Sequence, residues 1–159
     1  MLCIVSTQSY PGVAAGSVAA AATTGALVAM GHRFGSVALP FAAIGAPLFH
    51  RTVTAADPRL VLAGLVVHVT IAFAWSIVFV FLVRRMRWRD VVAAIAVGGA
   101  QLLASGLVTS LTGSGLSSVL QLGDRLVLAL VYAFALLVGL RFAFPLLRNA
   151  RSSAGEPSM

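Results

Sequence analysis

The chain has 159 residues, of which 60% are hydrophobic and 9% are charged, and its mean hydropathy is +1.01. Soluble domains carry about 25% charged residues, so a soluble fold of this size has too little interior for so much apolar surface. The net charge of +7 comes from arginines beside apolar segments, where membrane topology signals lie. We therefore expect contact with membrane lipids and no nucleic-acid partner.

The first apolar segment covers residues 11–31 and is long enough to cross a bilayer, which takes about 20 residues. No charge precedes it, so the positive region of a secretory signal is missing and we expect the helix to be retained. Pro11 suits the first helical position. Small residues that let a second helix approach recur at every fourth position: Gly12, Gly16 and Ala20. We expect them to form a helix-packing face, whereas Leu27 would matter less if it faces lipid.

The next apolar segment, residues 35–49, is broken by Pro40, Gly45 and Pro47. It is shorter than the stretch of about 20 residues that a membrane-spanning helix needs. Proline also removes a backbone donor and interrupts a helix. We therefore expect an interfacial or re-entrant segment between the first two spans.

Three further apolar segments predict spans at residues 60–83, 91–111 and 126–147. An aspartate precedes each segment, and a carboxylate at a helix N-terminus accepts hydrogen bonds from free backbone amides. The predicted N-caps are Asp57, Asp90 and Asp124. The sequence thus predicts an all-α fold, a single integral membrane domain of four transmembrane helices over residues 1–151, followed by a polar tail at 152–159.

Arginines in the loops indicate the orientation, because they accumulate on the cytoplasmic side. Four lie close together between the second and third spans: Arg84, Arg85, Arg87 and Arg89. Arg148 and Arg151 join them on one side of a four-span topology. We expect this side to face the cytoplasm, with both termini there and the protein in the inner membrane. Arg141 lies inside the fourth span and is expected to reach the same interface and contact lipid headgroups.

Acidic residues are too few for most catalytic chemistry. Three of the four are the aspartates at helix starts, and Glu156 lies in the tail. No carboxylate remains inside the membrane for acid–base catalysis, a proton relay or metal coordination. No nucleotide-binding or hydrolase motif is present either. We therefore expect a protein that is not an enzyme and that holds no cofactor or metal.

His68 lies about 12 Å into the second span, which is near the bilayer centre. Ionisable residues at that depth are candidates for a functional role. Gly64, Ala72 and Ser76 share its helix face, and such small residues leave room for a flat group. One hypothesis is therefore that His68 is an axial ligand of haem or bacteriochlorophyll.

A structural role for His68 is the simpler hypothesis. The third span carries Gln101, Ser105 and Thr109 at every fourth position, and with His68 they form a predicted intramembrane polar site. A neutral His68 is expected to hydrogen-bond to Gln101 or Ser105 across the helix pair, since lipid offers an imidazole no partner.

The first two spans resemble those of a group of small bacterial four-helix membrane proteins of unknown function. The similarity lies in the Gly/Ala-rich stretch 12–31, the Leu39-Pro40 pair and the sequence Gly64-Leu65-Val66-Val67-His68. The resemblance implies the same four-helix architecture and provides no catalytic residues.

The leading functional hypothesis is a non-catalytic accessory or structural subunit that packs against other integral membrane proteins. It depends on the missing catalytic residues and on the small-residue faces of the first and third spans. One alternative is a tetrapyrrole-binding subunit of an electron-transfer or photosynthetic complex. Another is a small-solute channel or transporter that uses the polar stripe of the third span.

Overall fold

The computed structural model describes residues 6–53, 55–85 and 89–153, with side chains described over 11–53, 55–85 and 89–142. These ranges contain helices and no strand: α1 (Ser6–Arg33), α2 (Leu39–Gly45), α3 (Pro58–Arg85), α4 (Asp90–Thr112) and α5 (Leu122–Ser153). Four of them, all but α2, are long and apolar enough to cross a membrane. The prediction of an all-α, four-span membrane bundle is therefore confirmed.

The first and last helices extend beyond the predicted spans. Helix α1 begins at Ser6, so Pro11 lies inside the helix and is not its first residue. A proline this close to a helix start forfeits one backbone hydrogen bond, and the helix continues through it. Helix α5 continues to Ser153, beyond the predicted end of the last span, while residues 154–159 of the predicted tail lie outside the described residues.

One of the three predicted aspartate caps is formed. The Asp57 carboxylate accepts a hydrogen bond of 2.9 Å from the Arg59 amide at the start of α3. The other two assignments are wrong, because Asp90 is already the first residue of α4 and Asp124 is the third residue of α5. Both carboxylates still lie in a first helical turn, where the helix dipole favours negative charge.

Helix α1 lies at the centre of the bundle and packs along both α5 and α3. Its small residues permit this, because a Cβ at Gly139 of α5 would be 2.6 Å from the Ala15 Cα of α1. On the α3 side, Gly16 lies against Phe73 and Ser76. The small-residue face of α1 is therefore used inside this bundle and offers no docking surface to a partner.

Leu27 does not face lipid. Its side chain is completely buried in a cluster with Met30, Phe41, Leu120 and Leu128. This cluster joins α1 to α2, to the loop before α5 and to α5 itself. The lipid-facing position considered for Leu27 is wrong because α2 folds back against the outer half of the bundle and covers it.

Helix α2 and the 3₁₀ turn Ala46–Phe49 that follows it form the segment between the first two spans. The segment packs tightly against the first half of α3, with Pro40, Phe41, Ala42 and Ala43 buried. Its backbone contacts the α3 backbone at Gly45 and Gly64, and a Cβ at Gly64 would be only 2.9 Å from the Gly45 nitrogen. The broken apolar segment is thus one short helical stretch, Leu39–Phe49, which we call the α2 segment, and its Phe41 reaches the depth of His68.

The two ends of the bundle carry different ion pairs and charges. At the end where α1 stops and α5 starts, Arg33 Nη1 lies 3.1 Å from Asp124 Oδ1. At the opposite end Arg84, Arg85 and Arg89 are exposed, and Arg87 lies outside the described residues. Arg141 is exposed and lies about 29 Å along α5, which corresponds to the far edge of a hydrocarbon core about 30 Å thick.

Candidate functional site

A cavity of about 340 Å³ lies between α3 and α4, and residues of the α2 segment line part of it. We call it the α3–α4 cavity. Its polar lining consists of His68, Gln101 and Ser105, and Trp75 contributes an aromatic wall. The other lining residues are aliphatic side chains, Pro47 and Gly115.

The α3–α4 cavity opens sideways. Three of its lining residues, Leu48, Ile71 and Val108, are also exposed on the outer surface of the bundle. That surface faces lipid in a membrane-spanning bundle, so a molecule dissolved in the bilayer has a lateral route to the cavity. Helices α3 and α4 contact each other less closely than the other neighbouring spans do, which leaves the space between them.

His68 is held by α1. Its Nε2 lies 3.0 Å from the Thr23 hydroxyl oxygen, and that hydroxyl lies 2.7 Å from the Ala19 carbonyl oxygen. A hydroxyl has a single proton, and the short contact with the carbonyl favours the tautomer in which His68 Nε2–H donates to the Thr23 oxygen. The Phe41 ring of α2 meets the imidazole edge to face, with 6.2 Å between ring centroids.

The predicted hydrogen bond from His68 to Gln101 or Ser105 is therefore wrong. The helix face that carries His68 packs on the small-residue face of α1, where Thr23 supplies the partner. Gln101 and Ser105 lie across the α3–α4 cavity from α3, so they share a cavity with His68 without bonding to it.

Gln101 is incompletely satisfied. Its Oε1 is fully buried and has no hydrogen-bond partner among the described residues. An unpaired buried acceptor costs about 1–3 kcal/mol. Arg125 of α5 lines a small void that Gln101 also lines, and its Nε is likewise buried and unpaired among the described residues.

Ser105 and Thr109 are engaged with nearby groups. The Ser105 hydroxyl donates to the Leu102 carbonyl at 2.8 Å, and the Thr109 hydroxyl donates to the Ser105 carbonyl at 3.1 Å. Ser117, in the loop before α5, donates to Thr109. Thr109 therefore belongs to the packing of that loop and is not part of the cavity lining, so the polar stripe ends at Ser105 within the cavity.

The space expected around His68 for a flat macrocycle is filled. Gly64 is covered by the α2 backbone, and Tyr132 of α5 donates a hydrogen bond of 2.8 Å to the Ala72 carbonyl. Ser76 donates to the Gly12 carbonyl of α1 at 2.9 Å. Neighbouring helices thus occupy the face on which a tetrapyrrole would lie, and the geometry does not favour His68 as its ligand.

The His68–Thr23 pair makes a direct prediction. A double-mutant cycle of His68→Leu and Thr23→Val is expected to give a coupling free energy of about 0.5–2 kcal/mol, typical of interhelical hydrogen bonds in membranes. The same cycle with Gln101→Leu in place of Thr23→Val is expected to give a coupling near zero. Unfolding in mixed detergent micelles measures both, and a larger coupling to Gln101 would contradict the assigned partner.

Thr23 is a site residue that sequence reasoning did not identify as the partner of His68. Thr23 lies seven positions after Gly16 on α1, so its spacing places it near the small-residue face, and this signal was available. The cavity itself had no such signal, because it depends on how far apart α3 and α4 lie.

Comparisons with known proteins leave the family open, so the resemblance to small bacterial membrane proteins stays a prediction. No protein-family model, no curated protein and no solved structure matches this chain.

Proposed function

We propose that this protein is a non-catalytic membrane protein that binds an apolar molecule from the bilayer in the α3–α4 cavity. The observation that carries the proposal is a cavity of about 340 Å³ with apolar walls, a few polar atoms and a lateral opening. Small-molecule sites have this character and volumes of about 300–1,000 Å³. Binding fits the residues better than catalysis, because the described cavity lining contains no carboxylate, thiol or metal-binding cluster.

The lining also favours a binding site over a path for solutes. A hydrophilic path needs polar groups along its length, whereas the described lining residues that the α2 segment contributes, Ile44, Pro47 and Leu48, are apolar. A bilayer molecule that enters from the side meets apolar walls first and the polar atoms at mid-depth.

The binding proposal is tested by filling the cavity. Native mass spectrometry of the protein, extracted in mild detergent, is expected to detect a co-purifying lipid-sized molecule. Ala104→Phe places a large ring in the cavity wall and is expected to remove the molecule. Ala96→Phe is the matched control, because Ala96 is exposed on the same helix and lies outside the cavity. Equal occupancy in the two variants would contradict the proposal.

We also propose that the end of the bundle carrying Arg84, Arg85 and Arg89 faces the cytoplasm, as loop arginines do in inner-membrane proteins. A reporter fused after Arg89 is expected to be cytoplasmic, and one inserted in the loop at 114–118 is expected to lie outside. An external signal from the fusion after Arg89 would reverse the orientation, while leaving the α3–α4 cavity unchanged.

A role as an accessory subunit is a second proposal, and the outer face of α4 supports it. Helix α4 is the least buried of the four spans, with Leu103, Leu107 and Leu111 strongly exposed. A mild-detergent pull-down is expected to recover a larger complex that Leu107→Trp weakens. Recovery of the chain alone would remove this proposal and would not affect ligand binding.

A further inference from the structure

We infer that the molecule bound in the α3–α4 cavity is an uncharged lipid with a free hydroxyl group, and that this hydroxyl lies between His68 and Gln101. The inference deepens the proposed function and rests on it. It comes from hydrogen-bonding groups in the cavity wall, on His68, Gln101 and Ser105, that can still bind a ligand. These groups indicate the chemistry of the ligand's polar end.

His68 offers an acceptor. The Thr23 hydroxyl lies 2.7 Å from the Ala19 carbonyl oxygen, and this short contact favours the His68 tautomer in which Nε2 carries the hydrogen. A neutral imidazole then has a bare Nδ1, which accepts a hydrogen bond. His68 lines the cavity, and its hydrogen-bond contacts, with the Thr23 hydroxyl and the Ala20 backbone, are both with α1. A ligand group that donates a proton is therefore matched to this side of the cavity.

Gln101 offers both a donor and an acceptor. Its Oε1 is wholly buried and has no hydrogen-bond partner among the described residues. The oxygen and nitrogen of a glutamine amide exchange places by a rotation of the side chain, so either group can turn towards the cavity. Ser105 adds oxygen lone pairs to the same wall, since its proton is used on the Leu102 carbonyl. A hydroxyl group, which donates once and accepts as well, satisfies both walls.

Charged heads fit this site poorly. No charged side chain is among the residues that line the α3–α4 cavity. A carboxylate cannot donate to His68 Nδ1, and it would lose its hydration without gaining a countercharge. Arg125 lines a small void that shares Gln101 and Ser105 with the cavity, and it is not among the described residues that line the cavity itself. An ammonium head would find acceptors there but no negative charge.

The depth of the polar atoms points the same way. By helix rise, His68 lies about 15 Å from the start of α3 and Gln101 about 17 Å from the end of α4. Both positions are close to the middle of a hydrocarbon core about 30 Å thick. A charge at that depth is costly in any membrane protein, whereas a neutral hydroxyl with two partners is not.

A set of photoreactive probes with identical long alkyl chains tests the inference in vesicles that contain the full chain. The probes end in a hydroxyl, a carboxylate, an ammonium or a methyl group. The alcohol is expected to label α3 and α4 about five- to tenfold more strongly than the methyl-ended probe, as one net hydrogen bond provides. The carboxylate and ammonium probes are expected to label less than the alcohol.

Two different failures are distinguishable. If no probe labels the cavity residues, or if Ala104→Phe leaves the labelling unchanged, the proposed function itself is wrong. If all probes label equally, or the carboxylate probe labels best, the cavity binds a lipid but the hydroxyl inference is wrong.

Gln101→Leu provides the specific variant. It removes the amide while keeping a side chain of similar size, and it removes an unpaired buried oxygen, so the fold is expected to persist. Alcohol labelling is expected to fall towards that of the methyl-ended probe, with His68 still in place as an acceptor, and the labelling by the methyl-ended probe shows whether the cavity is intact. Alcohol labelling that stays at the wild-type level in this variant would overturn the role of Gln101.

Discussion

Gly64→Ala is expected to destabilise the bundle by about 3 kcal/mol, at the upper end of the cost of overpacking, and to separate α2 from α3. A Cβ at Gly64 would collide with the Phe41 carbonyl oxygen and would lie 2.9 Å from the Gly45 nitrogen. Both are backbone atoms of α2, so no side-chain rotation relieves the contact. Thermal unfolding in detergent, together with the yield of monodisperse protein, measures the effect.

Gly99→Ala is the matched control, because Gly99 is also a helical glycine inside a span and a Cβ there meets no atom within 4 Å. It is expected to be neutral or to stabilise α4 by up to about 1 kcal/mol, since alanine is the better helix former. If Gly64→Ala changed the stability as little as Gly99→Ala, the α2 segment would not lie against α3 as described, and it would not line the cavity.

Leu27→Ala is expected to cost about 2–5 kcal/mol, as the removal of a fully buried leucine does when its surroundings cannot collapse. Leu27 lies where α1, α2 and α5 meet, so the vacated space is bounded by three elements. The comparison is with Leu103→Ala on α4, whose side chain is 75% exposed. In a bilayer, lipid chains fill the place of Leu103, and a change below about 0.5 kcal/mol is expected.

Equal losses for the two leucine variants would mean that the depth of burial does not control stability here. A negligible loss of stability in Leu27→Ala alone would mean that Leu27 faces lipid, which was one possibility in the sequence analysis. Unfolding of the two variants under identical detergent conditions decides between these outcomes.

The four spans could be predicted from sequence because lipid imposes a simple requirement. A segment that crosses the bilayer must satisfy its backbone internally and must be apolar for about 20 residues. Hydropathy along the sequence identifies such segments directly. It also shows that the proline-broken segment before α3 is too short to cross the bilayer. The exact first residues of α4 and α5 were harder to predict, because an aspartate is favourable both at the N-cap and in the first turn of a helix.

The candidate site was predictable only in part. The polar residues His68, Gln101 and Ser105 stand out in an apolar sequence, and the structure places all three in one cavity. Their pairing was not predictable, because it depends on which face of α3 packs on α1. The spacing of Thr23 places it near the small-residue face of α1, but its pairing with His68 follows only once α1 and α3 are placed together.

Trp75 fluorescence tests most directly the central claim that the α3–α4 cavity binds a bilayer molecule. The chain has two tryptophans, so Trp88→Phe leaves Trp75, a cavity-lining residue, as the only one. Titration of a brominated long-chain alcohol into vesicles is expected to quench Trp75 with a saturable component, which Ala104→Phe removes and Ala96→Phe retains. Quenching that rises in proportion to the alcohol in the membrane, and that is the same in all these variants, would contradict the claim.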